Sequence, residues 1–294
     1  MLFLDWNIAA AMKWRYINRR MRNGNPGGSM TIGDILRNNV KEKLARGEVV
    51  ASMTVRLVRQ VEIAQIAKTA GFDTIYVDME HCSASIETTS RICMAALAAG
   101  IAPFVRVPAN TPDYITRVLE GGALGVIAPH VGSAEEARAV VQAAKFLPLG
   151  ARSVAGGLPH LHFRTFPAAE AFAALNDATM VMVQFESAAA LAKAEEIVAV
   201  DGIDMVMIGT NDLLCDWGIP EQYEHPKVRE AYEMTIAACR RHGKHVGVGG
   251  LATRPKLVEE YVRMGARYVS TGTDLAFLMG ACVQRAKQVK DIVV

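Results

Sequence analysis

One unit repeats along this chain and narrows what it can fold into. Six times a glycine closes a helix-like stretch and a short apolar run follows, ending seven residues on at a small or functional residue. Gly71 leads to Asp78, Gly100 to Val107, Gly122 to Pro129, Gly202 to Gly209, Gly243 to Gly250 and Gly265 to Gly272. Two more apolar runs, at 49–55 and 179–185, fit the rhythm without the glycine and bring the number to eight. Glycine past a helix end takes the left-handed cap conformation at little cost. Short β-rich runs without polar alternation suit strands buried on both faces of a parallel sheet. Helix starts fall between them. Ser133 and Glu136 form a capping-box pattern, Pro112 and Pro255 stand at first-turn positions, and one helix is expected over 187–200 behind Ser187. Eight β–α units in about 250 residues predict an α/β fold, the (β/α)8 TIM barrel, with a doubly wound open sheet as the alternative. The segment 146–178 breaks the rhythm and is read as an insertion over the barrel mouth, where His160 and His162 would line the opening.

The 294 residues fit one such domain, with 31–294 as the barrel and 1–30 as a mobile N-terminal extension joined through NPGGSM. The extension carries Lys13, Arg15, Arg19, Arg20 and Arg22 behind its apolar start, the reverse of a secretory signal. A net charge of +2 gives no field to gather nucleic acid or an anionic membrane, and no apolar stretch approaches the ~20 residues of a membrane span. Five cysteines without a C-x-x-C spacing read as free thiols in a reducing compartment, the cytoplasm.

In barrels of this kind reactive groups gather at the C-terminal strand ends. There the sequence places Asp78, Glu80 and His81 after strand two, Arg106 on strand three, His130 after strand four, Gln184 and Glu186 at strand five, and Gly209, Thr210 and Asp212 at strand six. Every barrel lysine falls on a helix, a connection or a strand start, so no Schiff-base lysine is placed. No phosphate loop occurs, and Gly247–Gly250 lacks dinucleotide spacing. Glu186 and Asp212 on neighbouring strands suit a divalent cation held by oxygens, Mg²⁺ or Mn²⁺, with positions left for a 2-oxo acid. Such a cation acts as a Lewis acid for enolate formation, and Arg106 adds a positive charge beside the keto oxygen. Asp78 would orient the His81 imidazole as an acid–base pair. Glu80 is read as bracing a loop or subunit contact. His130, His160, His162, His225 and His245 are read as mainly structural, with His160 and His162 the pair that could line the mouth.

The pieces AGFDTIYVDMEH (70–81), PFVRVPAN (103–110), RVLEGGALGVIAPHV (117–131), VQFES (183–187) and IGTNDL (208–213) together resemble the HpcH/HpaI aldolase family, the metal-dependent 2-oxo-acid aldolases. The resemblance spans about 32–290. It implies a class II lyase that cleaves a 4-hydroxy-2-oxo acid reversibly to pyruvate and an aldehyde. Decarboxylation of oxaloacetate, or a macrophomate synthase-like use of the same enolate, is the alternative. It implies His81 and Asp78 as a catalytic dyad, Arg106 at the enolate oxygen, and Glu186 and Asp212 as ligands of one divalent ion, with Co²⁺ or Zn²⁺ as alternates. Gln184 and the backbone near Gly209 and Thr210 would contact substrate. It further implies a homo-oligomer, a hexamer, whose subunits exchange a C-terminal helix. Thr210 stands where the family often has proline, Met79 where it has glycine, and 152–166 departs from the family's acceptor-side loop.

Overall fold

The computed structural model describes residues 30–293, so the expected extension lies outside the described residues apart from Met30. All eight runs are strands: β1 Val50–Val55, β2 Thr74–Asp78, β3 Ala102–Arg106, β4 Gly125–Ala128, β5 Met180–Phe185, β6 Met205–Gly209, β7 His245–Gly249 and β8 Tyr268–Thr273. They pair in parallel, in sequence order, and β8 closes on β1. The closed ring is the expected (β/α)8 barrel and excludes the open-sheet alternative.

The period of two along a strand explains the barrel wall. In MVMVQF of β5, Val181, Val183 and Phe185 pack outward with Val77, Val105 and Ile208 against the helices. Met180 and Met182 face inward with Tyr76, Phe104, Ile127, Met205, Met207 and Tyr268, filling the barrel interior. One inward step beyond this layer comes a polar tier at the C-terminal end. Asp78 follows Tyr76, Arg106 follows Phe104, Gln184 follows Met182 and Gly209 follows Met207, with Asp78 and Arg106 side by side in the β2–β3 register.

The segment 146–178 lies at the other end of the barrel from the one expected. Phe146, Leu158, Leu161, Ala171 and Leu175 pack on Ile32, and the His160 ring bonds the Ala123 carbonyl just ahead of β4. The stretch and the short helix Ile32–Ile35 bury apolar faces against each other under the strand starts, while Val40 and Leu44 of the helix Asn39–Ala45 pack into the bottom of the barrel interior, so His160 and His162 are remote from the mouth. The helix expected over 187–200 is two, Ala188–Ala192 and Ala194–Val198, interrupted at Lys193. At Ser133 only half of the capping box forms. Its hydroxyl accepts from the Glu136 amide, but the Glu136 carboxylate turns to the Gly132 amide. The last helix, Asp274–Lys290, carries exposed Leu278, Met279, Val283 and Val289.

Candidate active site

A cavity of about 320 Å³ opens at the C-terminal strand ends. Its walls include Arg56 from the β1 exit, His81 and Arg106, Gln184 and Glu186, Gly209 to Asp212, and Tyr223. Thr54, Tyr76 and Ser270 lie deeper in the cavity, linked hydroxyl to hydroxyl. No lysine lines the cavity among the described residues.

Asp78 is the fully buried hub of one side. Arg106 donates to it from Nε at 2.9 Å and Nη2 at 2.6 Å, a side-on fork, and Arg56 Nε donates from the other side at 2.5 Å. Burial alone would raise the Asp78 carboxyl, but the hydrogen bonds and charge of Arg106, with Arg56 behind it, hold it below the ordinary carboxylate value. The expected Asp78–imidazole pairing is absent. Asp78 Oδ1 accepts the backbone amides of Glu80 and His81 instead, as an Asx turn after a strand does, and two guanidiniums occupy the rest of the carboxylate. The His81 ring stands half-exposed at the rim, its Nε2 3.7 Å from Glu80.

From Asp78 a chain of polar contacts crosses the mouth. Arg106 Nη1 meets Glu80 Oε2 at 2.9 Å, Glu80 Oε1 meets His130 Nε2 at 2.9 Å, and His130 Nδ1 meets Glu186 Oε2 at 2.9 Å. The His130 backbone sits in the left-handed region at φ 54°, which lets its own amide donate to the same Glu186 oxygen at 2.8 Å. Glu80 and His130 therefore belong to the site, where sequence reading gave them structural roles. Gln184 completes the bridge. Its Nε2 donates to Glu186 Oε1 at 3.0 Å and its Oε1 faces Arg106 Nη1 at 3.5 Å.

Glu186 is 5% exposed, and burial pushes its carboxyl above the ordinary value; the His130 amide and ring oppose this, and the charges of Glu80 and Asp212 add to it. Asp212 is exposed on the helix Thr210–Asp216 and lines the same cavity, close enough for its charge to act on Glu186. Gly209 makes room for this arrangement, since a Cβ there would stand 2.6 Å from Glu186 Cγ and Oε1. Thr210 is buried, and its hydroxyl donates to the Gly249 carbonyl and meets Tyr232, so that side chain serves the fold.

The donor set fits a hard divalent cation. Two acceptor-only carboxylates share one cavity, and the site's two guanidiniums leave two of its four carboxylate charges unbalanced. Among the described residues no third His, Cys or acidic side chain joins them in a metal-holding group. Two such carboxylates would leave most of an octahedral shell open to substrate and water.

Sequence reading missed Arg56, Tyr223 and the roles of Glu80 and His130. Arg56 was within reach, because it is the next inward position after Thr54 on the alternation that exposes Asp78 and Arg106. Tyr223, whose hydroxyl donates to Asn211 at 3.0 Å under a stacked Arg254, comes from a loop with no periodic signal.

The chain is similar to known proteins over most of its length. Residues 56–281 match the family model described as HpcH/HpaI aldolase/citrate lyase. The chain is 38% identical over 259 residues to 4-hydroxy-4-methyl-2-oxoglutarate aldolase tasA of Hapsidospora irregularis, covering 87% of this chain and 96% of that protein. It is 32% identical over 256 residues to 2-keto-3-deoxy-L-rhamnonate aldolase of Escherichia coli K12, covering 87% and 94%. A crystal structure of an HpcH/HpaI aldolase from Desulfitobacterium hafniense superposes with a TM-score of 0.80 at 33% identity, over 86% of this chain and 97% of that one. With its barrel closed and its matches running over nearly the whole barrel, the chain belongs to the HpcH/HpaI aldolase/citrate lyase family.

Proposed function

We propose that the chain is a class II aldolase that cleaves a 4-hydroxy-2-oxo acid reversibly to pyruvate and a carbonyl acceptor. Glu186 and Asp212 hold a divalent cation, Mg²⁺ or Mn²⁺ first and Co²⁺ or Zn²⁺ as alternates. When bound, the cation supplies Lewis-acid polarisation of the 2-oxo acid. Arg106, pinned by Asp78 and Glu80, presents fixed positive charge where the C2 oxygen gains negative charge as the C3–C4 bond breaks. Gln184 keeps Arg106 and Glu186 in a common frame. His81, free at the rim, takes the C4 hydroxyl proton, and C3 regains a proton after cleavage. Asp78 acts by positioning Arg106. Backbone groups at Gly209 and Thr210 receive the pyruvate carboxylate.

The observation that carries this reading is the cavity itself. Arg106, Glu186 and Asp212 face one space, and no lysine does among the described residues. The test is exchange of pyruvate C3 protons in deuterated buffer, and cleavage of 4-hydroxy-2-oxo acids, after chelation and re-addition of Mn²⁺. Both activities should vanish on chelation and return with metal. Full activity in chelated protein, or pyruvate release from oxaloacetate alone, overturns the assignment.

The relatives' aldolase names support the substrate class. The exposed apolar face of Asp274–Lys290, beside a groove with Ile66 and Phe72, supports a homo-oligomer; that it is a hexamer exchanging this helix is what the family resemblance implies. No described helix is long and apolar enough to cross a membrane. All five thiols are unpaired, which suits a reducing compartment such as the cytoplasm.

A further inference from the structure

We propose that Arg56 is the acceptor-side carboxylate receptor, so that the preferred substrate is a 4-hydroxy-2-oxo acid with a second carboxylate on the fragment released beside pyruvate. This rests on the aldolase reading above and adds to it the charge of the acceptor.

The two guanidiniums at the mouth differ in what they have left to give. Arg106 is buried and engaged at every nitrogen, with Nε and Nη2 on Asp78 and Nη1 between Glu80 and Gln184. Arg56 lines the same cavity with its side chain one-third exposed. It spends only Nε, on Asp78; Nη1 and Nη2 have no partner among the described residues. Its backbone is firmly held. Asp274 accepts the amides of Arg56, Leu57 and Val58 at 2.7–3.1 Å, and Arg59 Nη1 donates to the Arg56 carbonyl at 2.8 Å. The result is a fixed cation with two free donors in the cavity.

Its place suits an acceptor carboxylate. Arg56 lies one carboxylate away from Arg106, because Asp78 bridges the two. In the closed ring of eight strands, β1 stands across the mouth from β5, which ends one residue before Glu186. A substrate with its 2-oxo end between Arg106 and the Glu186–Asp212 side extends its far end toward β1. A carboxylate there would meet charge-assisted donors, which contribute about ten- to a hundred-fold in selectivity over a neutral group. The cleavage balances without another reactant. The C4 hydroxyl loses its proton, the C3–C4 pair moves to C3, C3 takes up one proton, and the acceptor leaves as a 2-oxo or aldehyde acid.

The experiment runs the reaction in the addition direction, with pyruvate and two acceptors of similar size, glyoxylate and glycolaldehyde. The wild-type protein should prefer glyoxylate by at least about ten-fold in kcat/KM. Arg56→Gln, which keeps a donor for Asp78, should remove most of that preference, chiefly through the KM for glyoxylate, and Arg56→Lys should restore part of it. Equal use of both acceptors by the wild-type protein, or an equal loss for both in Arg56→Gln, overturns the assignment. Pyruvate C3 exchange needs no acceptor and reads the underlying reaction separately. A protein that exchanges but shows no preference overturns the Arg56 assignment alone, and one that does not exchange overturns both.

Discussion

The two ends of this barrel bury polar side chains to opposite purpose. At the N-terminal end Asn38, Lys145 and His160 are matched to backbone carbonyls. Asn38 donates to the Ala178 carbonyl at 2.7 Å, Lys145 Nζ to the Asn176 carbonyl at 2.7 Å and to that of Thr179, and His160 to that of Ala123. Carbonyls ahead of β4 and β5 are thereby satisfied, and the strand starts are tied to the helices beneath. At the C-terminal end, side chains pair with side chains, Asp78 with two arginines and Glu186 with His130 and Gln184. Burial raises the Glu186 carboxyl, and the like charges of Glu80 and Asp212 add to it. A carbonyl partner completes a polar group; a charged partner beside a cavity keeps capacity for a ligand. One end is arranged for stability and the other for binding.

If that division holds, changes at the two ends should fail differently. The largest effect is expected from Glu186→Gln and Asp212→Asn. Each should cut metal-dependent cleavage by about 10²–10³-fold or more while leaving the melting temperature equal or higher, since like charges are relieved. A fall in stability matching the fall in rate would erase the distinction. Arg106→Lys should lower turnover about 10²-fold and destabilise as well, because a single point charge cannot replace the fork on buried Asp78. Rate and denaturant midpoint together check this. His130→Ala should weaken Mn²⁺ binding about 10–100-fold by calorimetry, as loss of a group orienting a metal ligand does. Unchanged affinity would remove His130 from the site.

The smaller effects lie at the other end. Lys145→Met should cost about 1–3 kcal/mol in urea unfolding, from stranded carbonyls, with kcat unchanged. Burial pushes the Lys145 ammonium down to about 8, with Asp204 opposing. His160 supplies the pH arm. Burial pushes it down to about 4, with the Ala123 bond opposing and the Arg152 charge adding. The unfolded chain takes this proton below pH about 6.5 and the folded one only near 4, so stability falls as pH drops through that window, by about 1.4 kcal/mol per unit. His160→Gln should flatten that slope by one proton.

Much of the barrel was legible because helix stop, strand and strand end recur at fixed spacing. Asp78, Arg106, Glu186 and Asp212 followed from strand ends; Arg106, Glu186 and Asp212 line one cavity, with Asp78 buried behind Arg106. What misled was segment 146–178, where an interrupted rhythm says that chain is inserted but not at which end; Phe146 and Leu161, packing on Ile32, decide that. The Asp78–His81 pairing failed because neighbours in sequence after a strand meet through backbone amides, while side-chain partners come from adjacent strands. Arg56 and His130 needed the inward alternation and a left-handed backbone, the first readable and the second not.

Gly209 has a consequence for tracing this chemistry in other barrels. Its missing methyl group is where the Glu186 carboxylate rests, with 2.6 Å to a would-be Cβ. Acceptor-side positions can drift as substrates change, but a larger residue here evicts the carboxylate whatever the substrate. A related barrel that has filled this gap has either moved its acid elsewhere or given up the reaction, which makes one absent side chain an inexpensive marker of retained activity.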